Sequence, residues 1–146
     1  MPSVVARHIP RSRPAGDRPA ARASKKVLML EGCVQPAMAP VINAAASRVL
    51  MQMGYEVVST PTAGCCGGVG LELGADAEAK EAIRRNIDAL WPQVKAGDIE
   101  AIVMTASGCG VTVRDYHEIL KDDVMYREKA RQVSELTRDL CEVIDP

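Results

Sequence analysis

Gly64-Cys65-Cys66-Gly67-Gly68 sets two adjacent cysteines between glycines, behind the apolar run Tyr55-Glu56-Val57-Val58 and the connector Thr60-Pro61-Thr62-Ala63. Gly64, Gly67, Gly68 and Gly70 let this backbone adopt positive φ and come close to a bound group. A second cysteine site, Cys33, follows the apolar run Val27-Leu28-Met29-Leu30, with 31 residues between it and Cys65. A third, Cys109, follows 99–104 in Thr105-Ala106-Ser107-Gly108-Cys109-Gly110, with 42 residues between it and Cys66. Each cysteine site thus stands between a short apolar run and a segment of helical pattern.

The runs at 27–30, 55–58 and 99–104 are short and apolar, as strands buried on both faces are. Between them lie helical patterns. Pro36 and Pro40 suit a first turn, and 41–53 carries Val41, Ala45, Val49 and Ile42, Leu50, Met53 on neighbouring rows, with Gly54 as the stop. A longer helix is expected over 75–94, with Ala79, Ile83, Ile87 and Leu90 on its inner face. Asp76 and Glu78 suit its start, while Pro92 bends or shortens its end and Gly97 breaks it. After Cys109 a helix is expected over 111–120. Asp122-Asp123 then caps a last one over 124–143, with Val133, Leu136 and Leu140 inward. The result is a β–loop–α unit repeated three times. Right-handed crossovers make such strands parallel. The expected fold is a small three-layer α/β open sheet, mainly parallel, with Cys33, Cys65, Cys66 and Cys109 on carboxyl-end loops, where ligands of such sheets bind.

The chain has 146 residues, 47% apolar and 25% charged, which suits one soluble domain. One Trp, three Tyr and no Phe leave few platforms for stacking bases, so a nucleic-acid partner is not expected. The net charge of −1 hides an asymmetry. Residues 1–26 carry seven basic side chains (Arg7, Arg11, Arg13, Arg18, Arg22, Lys25, Lys26) against Asp17 alone. With Pro2, Pro10, Pro14 and Pro19 and no amphipathic period, 1–25 reads as a disordered, basic, Pro/Arg-rich linker, and 26–146 as the folded domain. No apolar run approaches the roughly 20 residues that span a bilayer, and no apolar h-region follows the early arginines. A cytoplasmic protein is expected, with at most peripheral contact at the inner face of the membrane.

Five cysteines in such a chain favour metal binding or redox chemistry over structural disulfides. Thiolates are soft ligands that hold zinc or iron–sulfur clusters. Helix N-termini beside the loops are expected to favour thiolate and lower the thiol pKa. Cys33, Cys65, Cys66 and Cys109 therefore form a credible four-thiolate set. Alone, each would read as a small buried hydrophobe. That reading is kept for Cys141, far from any loop. His8 falls in the linker and His117 reads as a surface or packing residue. Adjacent Cys65 and Cys66 also admit a vicinal disulfide or a thiol–disulfide enzyme. No Gly-x-Gly-x-x-Gly or phosphate loop is present, and no Ser/His/Asp constellation is evident.

Leu30-Glu31-Gly32-Cys33-Val34-Gln35-Pro36, Gly64-Cys65-Cys66-Gly67 and Thr105-Ala106-Ser107-Gly108-Cys109-Gly110 together resemble the cysteine-rich CCG domain. That domain is shared by heterodisulfide reductases, lactate-utilisation proteins and glycolate oxidase iron–sulfur subunits. Asn86-Ile87-Asp88-Ala89-Leu90-Trp91-Pro92 and Thr137-Arg138-Asp139-Leu140 look most like the last of these. The resemblance implies an iron–sulfur cluster, expected to be 4Fe-4S, on Cys33, Cys65, Cys66 and Cys109. It also implies an electron-transfer role beside flavin-containing glycolate oxidase subunits that turn glycolate into glyoxylate. The alternative is a non-catalytic docking domain with zinc or no metal. One departure is plain: the family pattern ends in Cys-x-x-Cys, and Ala106 stands at its first cysteine. The ferredoxin-type cysteine runs and the second cysteine-rich repeat of the full subunit have no counterpart here, so the chain looks like a fragment of it, not active alone.

Overall fold

The computed structural model describes residues 25–145. The expectation for the basic segment lies outside them, except that Lys25, assigned to the linker, is the first residue of a strand. The chain runs β1 (Lys25–Met29), α1 (Gln35–Met38), α2 (Pro40–Gln52), β2 (Tyr55–Ser59), α3 (Gly68–Glu72) and α4 (Asp76–Ala96). It continues β3 (Ile99–Met104), α5 (Ser107–Arg114), α6 (Tyr116–Ile119), α7 (Arg127–Leu136), β4 (Thr137–Asp139) and α8 (Leu140–Ile144).

The four strands form one sheet in the order β2-β1-β3-β4, parallel throughout. β1 lies between β2 and β3, and its pleat explains the continuous apolar run. Leu28 and Leu30 join Ile102 and Met104 on one face, against Ile83, Ile87 and Leu90 of α4, Val113 of α5 and Val133 of α7. Val27 and Met29 join Ala101 and Val103 on the other, against Ala46 and Leu50 of α2 and Val143 of α8. Successive residues of a strand face opposite sides, so these two clusters are the two sides of a three-layer sandwich. The chain passes from β1 to β2 on one side and then back across to β3. The strand order therefore reverses between β1 and β3, and the crevice outside their carboxyl ends is the switch point of an open sheet.

Four elements differ from expectation, the first being the helix expected over 111–120, which starts at Ser107 and is two helices, α5 and α6, parted at Asp115. α2 turns another face inward: Asn43, Ala44, Ala46, Ser47 and Leu50 are buried, while Ile42, Val49 and Met53 are exposed. Small side chains let the helix lie close to the sheet, and the polar ones find partners, as where the Ser47 hydroxyl donates to Asn43 O at 2.9 Å. Pro92 does not end α4, which continues to Ala96 and stops at Gly97 with φ 76°. Proline removes one intrahelical bond, and Leu90 and Val94 in the core keep the last turn in place.

The expected helix over 124–143 is two helices with a fourth strand between them. Thr137 turns extended, with ψ 129°, and its hydroxyl donates to Val133 O at 2.7 Å, satisfying a carbonyl of the ending helix. β4 then pairs with β3, and Asp139 starts α8 through a capping box. Its carboxylate accepts the Cys141 N–H at 3.0 Å, and Glu142 accepts the Asp139 N–H at 2.7 Å. Asp122-Asp123 do not cap α7 as expected: its N-cap is Tyr126, with no side-chain cap bond, and Asp123 accepts the N–H groups of Met125 and Tyr126 in the turn before it.

Leu28→Ala is expected to cost ~2–5 kcal/mol in urea unfolding, because both sides of β1 are sealed. Met125→Ala, at a side chain 77% exposed, is expected to stay within about 0.5 kcal/mol.

Candidate functional site

The three cysteine segments meet at the carboxyl edge of the sheet. Cys33 lies in the bend after β1 and is exposed. Cys65 and Cys66 lie between β2 and α3, half-buried and buried. Cys109 does not lie in a loop as expected: α5 starts at Ser107, and Cys109 sits half-buried in its first turn. All five cysteines are free, Cys65 and Cys66 included. Cys65 and Cys66 stand within electrostatic reach of the Cys33 thiol, and Cys66 within reach of that of Cys109. Cys109 also lies within electrostatic reach of Cys33 and Cys65, so the four sulfurs share one neighbourhood.

Cys141 is exposed on α8, not buried as expected. His117 is exposed on α6, as expected, with its Nδ1 2.8 Å from Arg114 O.

Polar side chains stitch the three segments together. The Thr105 hydroxyl, after β3, stands 2.7 Å from Asn43 Oδ1 and 2.8 Å from Gln35 Oε1, sharing its proton between them. Gln35 donates back to Thr105 O at 3.4 Å, and Asn43 Nδ2 donates to Glu31 O at 3.0 Å. The Cys33 and Cys109 segments are thereby tied across the switch point. The double-cysteine loop is held from the α4 side instead. Gly64 N–H donates to Asn86 Oδ1 at 2.7 Å, and Asn86 Nδ2 donates to Cys65 O at 2.8 Å. The Tyr116 hydroxyl donates to Cys66 O at 3.0 Å and accepts from Asn86 Nδ2 at 3.2 Å. Gly67 N–H points back to Cys65 Sγ at 3.5 Å. Sequence reasoning singles out none of Asn43, Asn86, Thr105 or Tyr116 as a site residue, because such tertiary contacts leave no local pattern.

Gly67 is required twice over. Its φ is 87°, and a Cβ there would meet Ala79 O and Ile83 Cγ1 at 3.0 Å. At Gly68 a Cβ would meet the Thr112 hydroxyl at 2.7 Å. The loop therefore packs directly on α4 and α5.

The Cys33 and Cys109 thiols are raised, not lowered by helix N-termini as expected. Burial pushes the Cys109 thiol up to about 12 from 9.0, and the neighbouring Cys66 first, then Cys33 and Cys65, add to it. Cys33 is raised too, first by desolvation, although the residue as a whole is exposed, and then by Cys65. Potential anions close by oppose deprotonation of Cys33 and of Cys109. This counts against Cys33 or Cys109 as a low-pKa attacking thiol.

A single ion draws thiolates to ~2.3 Å. Among the described residues, no group of three or more His, Cys, Asp or Glu side chains is arranged to hold one ion. The donor set does suit a thiolate-held iron–sulfur group in chemistry: four soft sulfurs and an N–H already turned to one of them. A cavity of about 450 Å³, lined by Cys66, Cys109, Gly68, Val69, Leu73 and Thr112 among others, opens beside two of the sulfurs.

A family model described as "Cysteine-rich domain" (CCG) matches residues 27–114, a span that includes these four cysteines and leaves out Cys141. The chain belongs to the CCG cysteine-rich domain family. It is 50% identical, over 89% of its length, to the glycolate oxidase iron-sulfur subunit of Escherichia coli K12, and covers 32% of that protein. It is 30% identical over 82% of its length to the probable glycolate oxidase iron-sulfur subunit of Bacillus subtilis 168, covering 26% of it. Lactate utilization protein A of Bacillus pumilus is 28% identical over 82% of this chain, which covers 48% of that protein. The chain therefore spans between a quarter and a half of the length of these relatives. No solved structure matches it. No helix among the described residues is long and apolar enough to cross a membrane.

Gly67→Ala is expected to cost ~1–3 kcal/mol from the left-handed φ alone, read as a fall in the urea midpoint. The raised Cys109 thiol sets a pH dependence for the metal-free, reduced protein. A folded pKa above the unfolded one contributes stability that is whole below the unfolded value and is lost as pH rises through the folded value. Stability should therefore fall between pH 9.0 and about 12. Urea midpoints across that window check it, and Cys109→Ala should make the decline shallower.

Proposed function

We propose that this chain is the first cysteine-rich domain of an iron–sulfur, electron-transfer subunit in a 2-hydroxy-acid oxidase complex, acting on glycolate. Cys33, Cys65, Cys66 and Cys109 would be the ligands. The observation that carries the reading is the convergence of four thiols on one rim, in a chain half identical over most of its length to a protein named as an iron–sulfur subunit. A 4Fe-4S cluster, when bound, would supply one-electron transfer and no bond-making chemistry.

The work left to this chain is to bind, orient and shield. The four thiols lose their protons to become ligands, so binding releases protons. The Gly67 N–H favours negative charge on Cys65 Sγ. The packing of Gly67 and Gly68 on α4 and α5 holds the double-cysteine loop close against both helices. Ala106, at the N-cap of α5 and one turn before Cys109, contributes no sulfur, so the fuller ligand set of the family is reduced by one. The oxidation of glycolate to glyoxylate would belong to separate flavin-containing subunits, and no residue here is assigned to glycolate. The ferredoxin-type domain and second cysteine-rich repeat would lie in the part of the relatives that this chain does not cover. The folded domain would begin with β1 at Lys25, one residue earlier than expected, and the basic segment ahead of it would be a linker. The cytoplasm is the proposed place of action, since thiols stay reduced there.

Anaerobic purification with iron and acid-labile sulfide analysis and electron paramagnetic resonance tests this. The expected protein is brown, with iron and sulfide in equal amounts. Cys66→Ser should lose most of both, and Ala106→Cys should retain iron for longer in air. A colourless, iron-free wild-type protein contradicts the proposal, and stoichiometric zinc without iron selects the docking domain instead.

A further inference from the structure

Tyr116 is fully buried, Asn86 is 1% exposed, and neither is a ligand candidate. Their hydroxyl and amide nevertheless reach the double-cysteine loop from beneath. The Cys66 carbonyl and the Gly67 N–H are the two ends of one peptide group. Tyr116 O–H donates to the carbonyl end at 3.0 Å. The N–H end donates to Cys65 Sγ at 3.5 Å. Asn86 Nδ2 donates in turn to the Tyr116 oxygen at 3.2 Å and to the Cys65 carbonyl at 2.8 Å. The bonds form a directed chain, from Asn86 through Tyr116 and the 66–67 peptide to a sulfur at the rim. Every donor in it faces the same way. Hydrogen bonds in such a chain polarise one another, each strengthening the next by roughly 10–30%.

We infer that Tyr116 and Asn86 are positioning residues of the cysteine centre: they fix the 66–67 peptide with its N–H toward Cys65 Sγ and so favour negative charge on that sulfur. The effect on a bound group rests on the proposed iron–sulfur reading; the orientation of the peptide does not. Hydrogen bonds to sulfur set the potential of iron–sulfur groups. A donor removed from the far end of the chain should therefore make the centre harder to reduce.

The alternative role for Tyr116 is filling the core, since it packs among Ile83, Ile87, Val113 and Ala130. Tyr116→Phe keeps the ring and removes only the hydroxyl, so it separates the two roles. In the metal-free, reduced protein, the variant should show faster hydrogen exchange and a shifted proton resonance at the Gly67 amide. Asn86→Ala should do the same at Gly64, whose N–H loses its acceptor. Ser47→Ala, a buried hydroxyl on the opposite layer, should leave both amides unchanged.

In iron-loaded protein, spectroelectrochemical titration of Tyr116→Phe should show a more negative potential, with the ratio of reduced to oxidised centre lowered about two- to threefold at a fixed poise. A Tyr116→Phe protein that is folded, with Gly67 exchange and resonance as in wild type, overturns the inference. So does an unchanged potential in loaded protein. If the wild-type protein takes up no iron, the proposed function fails while the amide measurements still decide the role of Tyr116.

Discussion

β1 is hydrogen-bonded in parallel on both of its edges and sealed by side chains on both of its faces. A strand so placed leaves its neighbours no choice of direction: β2 and β3 must run alongside it, and every connection leaving a carboxyl end emerges at the same rim. Cysteines separated by 31 and 42 residues of chain can share a neighbourhood only because of this constraint. The reversal of strand order between β1 and β3 then opens the rim into a crevice.

The sheet alone brings the segments to one edge but does not aim the sulfurs. That is done by amides and hydroxyls, buried on the two helical layers and half-buried at Thr105 in the loop after β3. Asn43 and Thr105 tie the Cys33 and Cys109 segments together, and Asn86 and Tyr116 hold the double-cysteine loop from the other layer. Each is expensive to leave unpaired, since a buried polar group without its partner costs ~1–3 kcal/mol. The same groups that would be liabilities in an apolar core act here as fixed distances between loops. In the metal-free state Cys33 and Cys109 resist losing their protons, both raised by burial and by the neighbouring cysteines. A centre that crowds potential anions in this way is suited to a cationic iron–sulfur core that takes the negative charge they cannot hold alone.

The first three strands, their parallel arrangement and the cysteines at their carboxyl ends are legible in the sequence, because short apolar runs between glycine-bearing cysteine segments have few other solutions. The buried face of α2 is not. Its valines and Ile42 form a plausible apolar stripe, yet Asn43 and Ser47 go inward because partners await them. Nor is β4 legible: 124–143 has helical propensity throughout, and the break comes from pairing with β3. Asp139-x-x-Glu142, a capping-box spacing, is the local sign that a helix starts anew there. The glycines flanking Cys109 suggest a loop, whereas α5 begins two residues before it.

The most direct test of the central claim needs no metal. Mild oxidation of the reduced, metal-free, monomeric protein, followed by proteolysis and mass spectrometry, reports which sulfurs can reach one another. Cys33–Cys65 and Cys66–Cys109 bridges within one chain are the predicted products, with Cys141 left free. Failure of either Cys33 or Cys109 to join the 65/66 pair under conditions that oxidise Cys141 readily would contradict a shared centre.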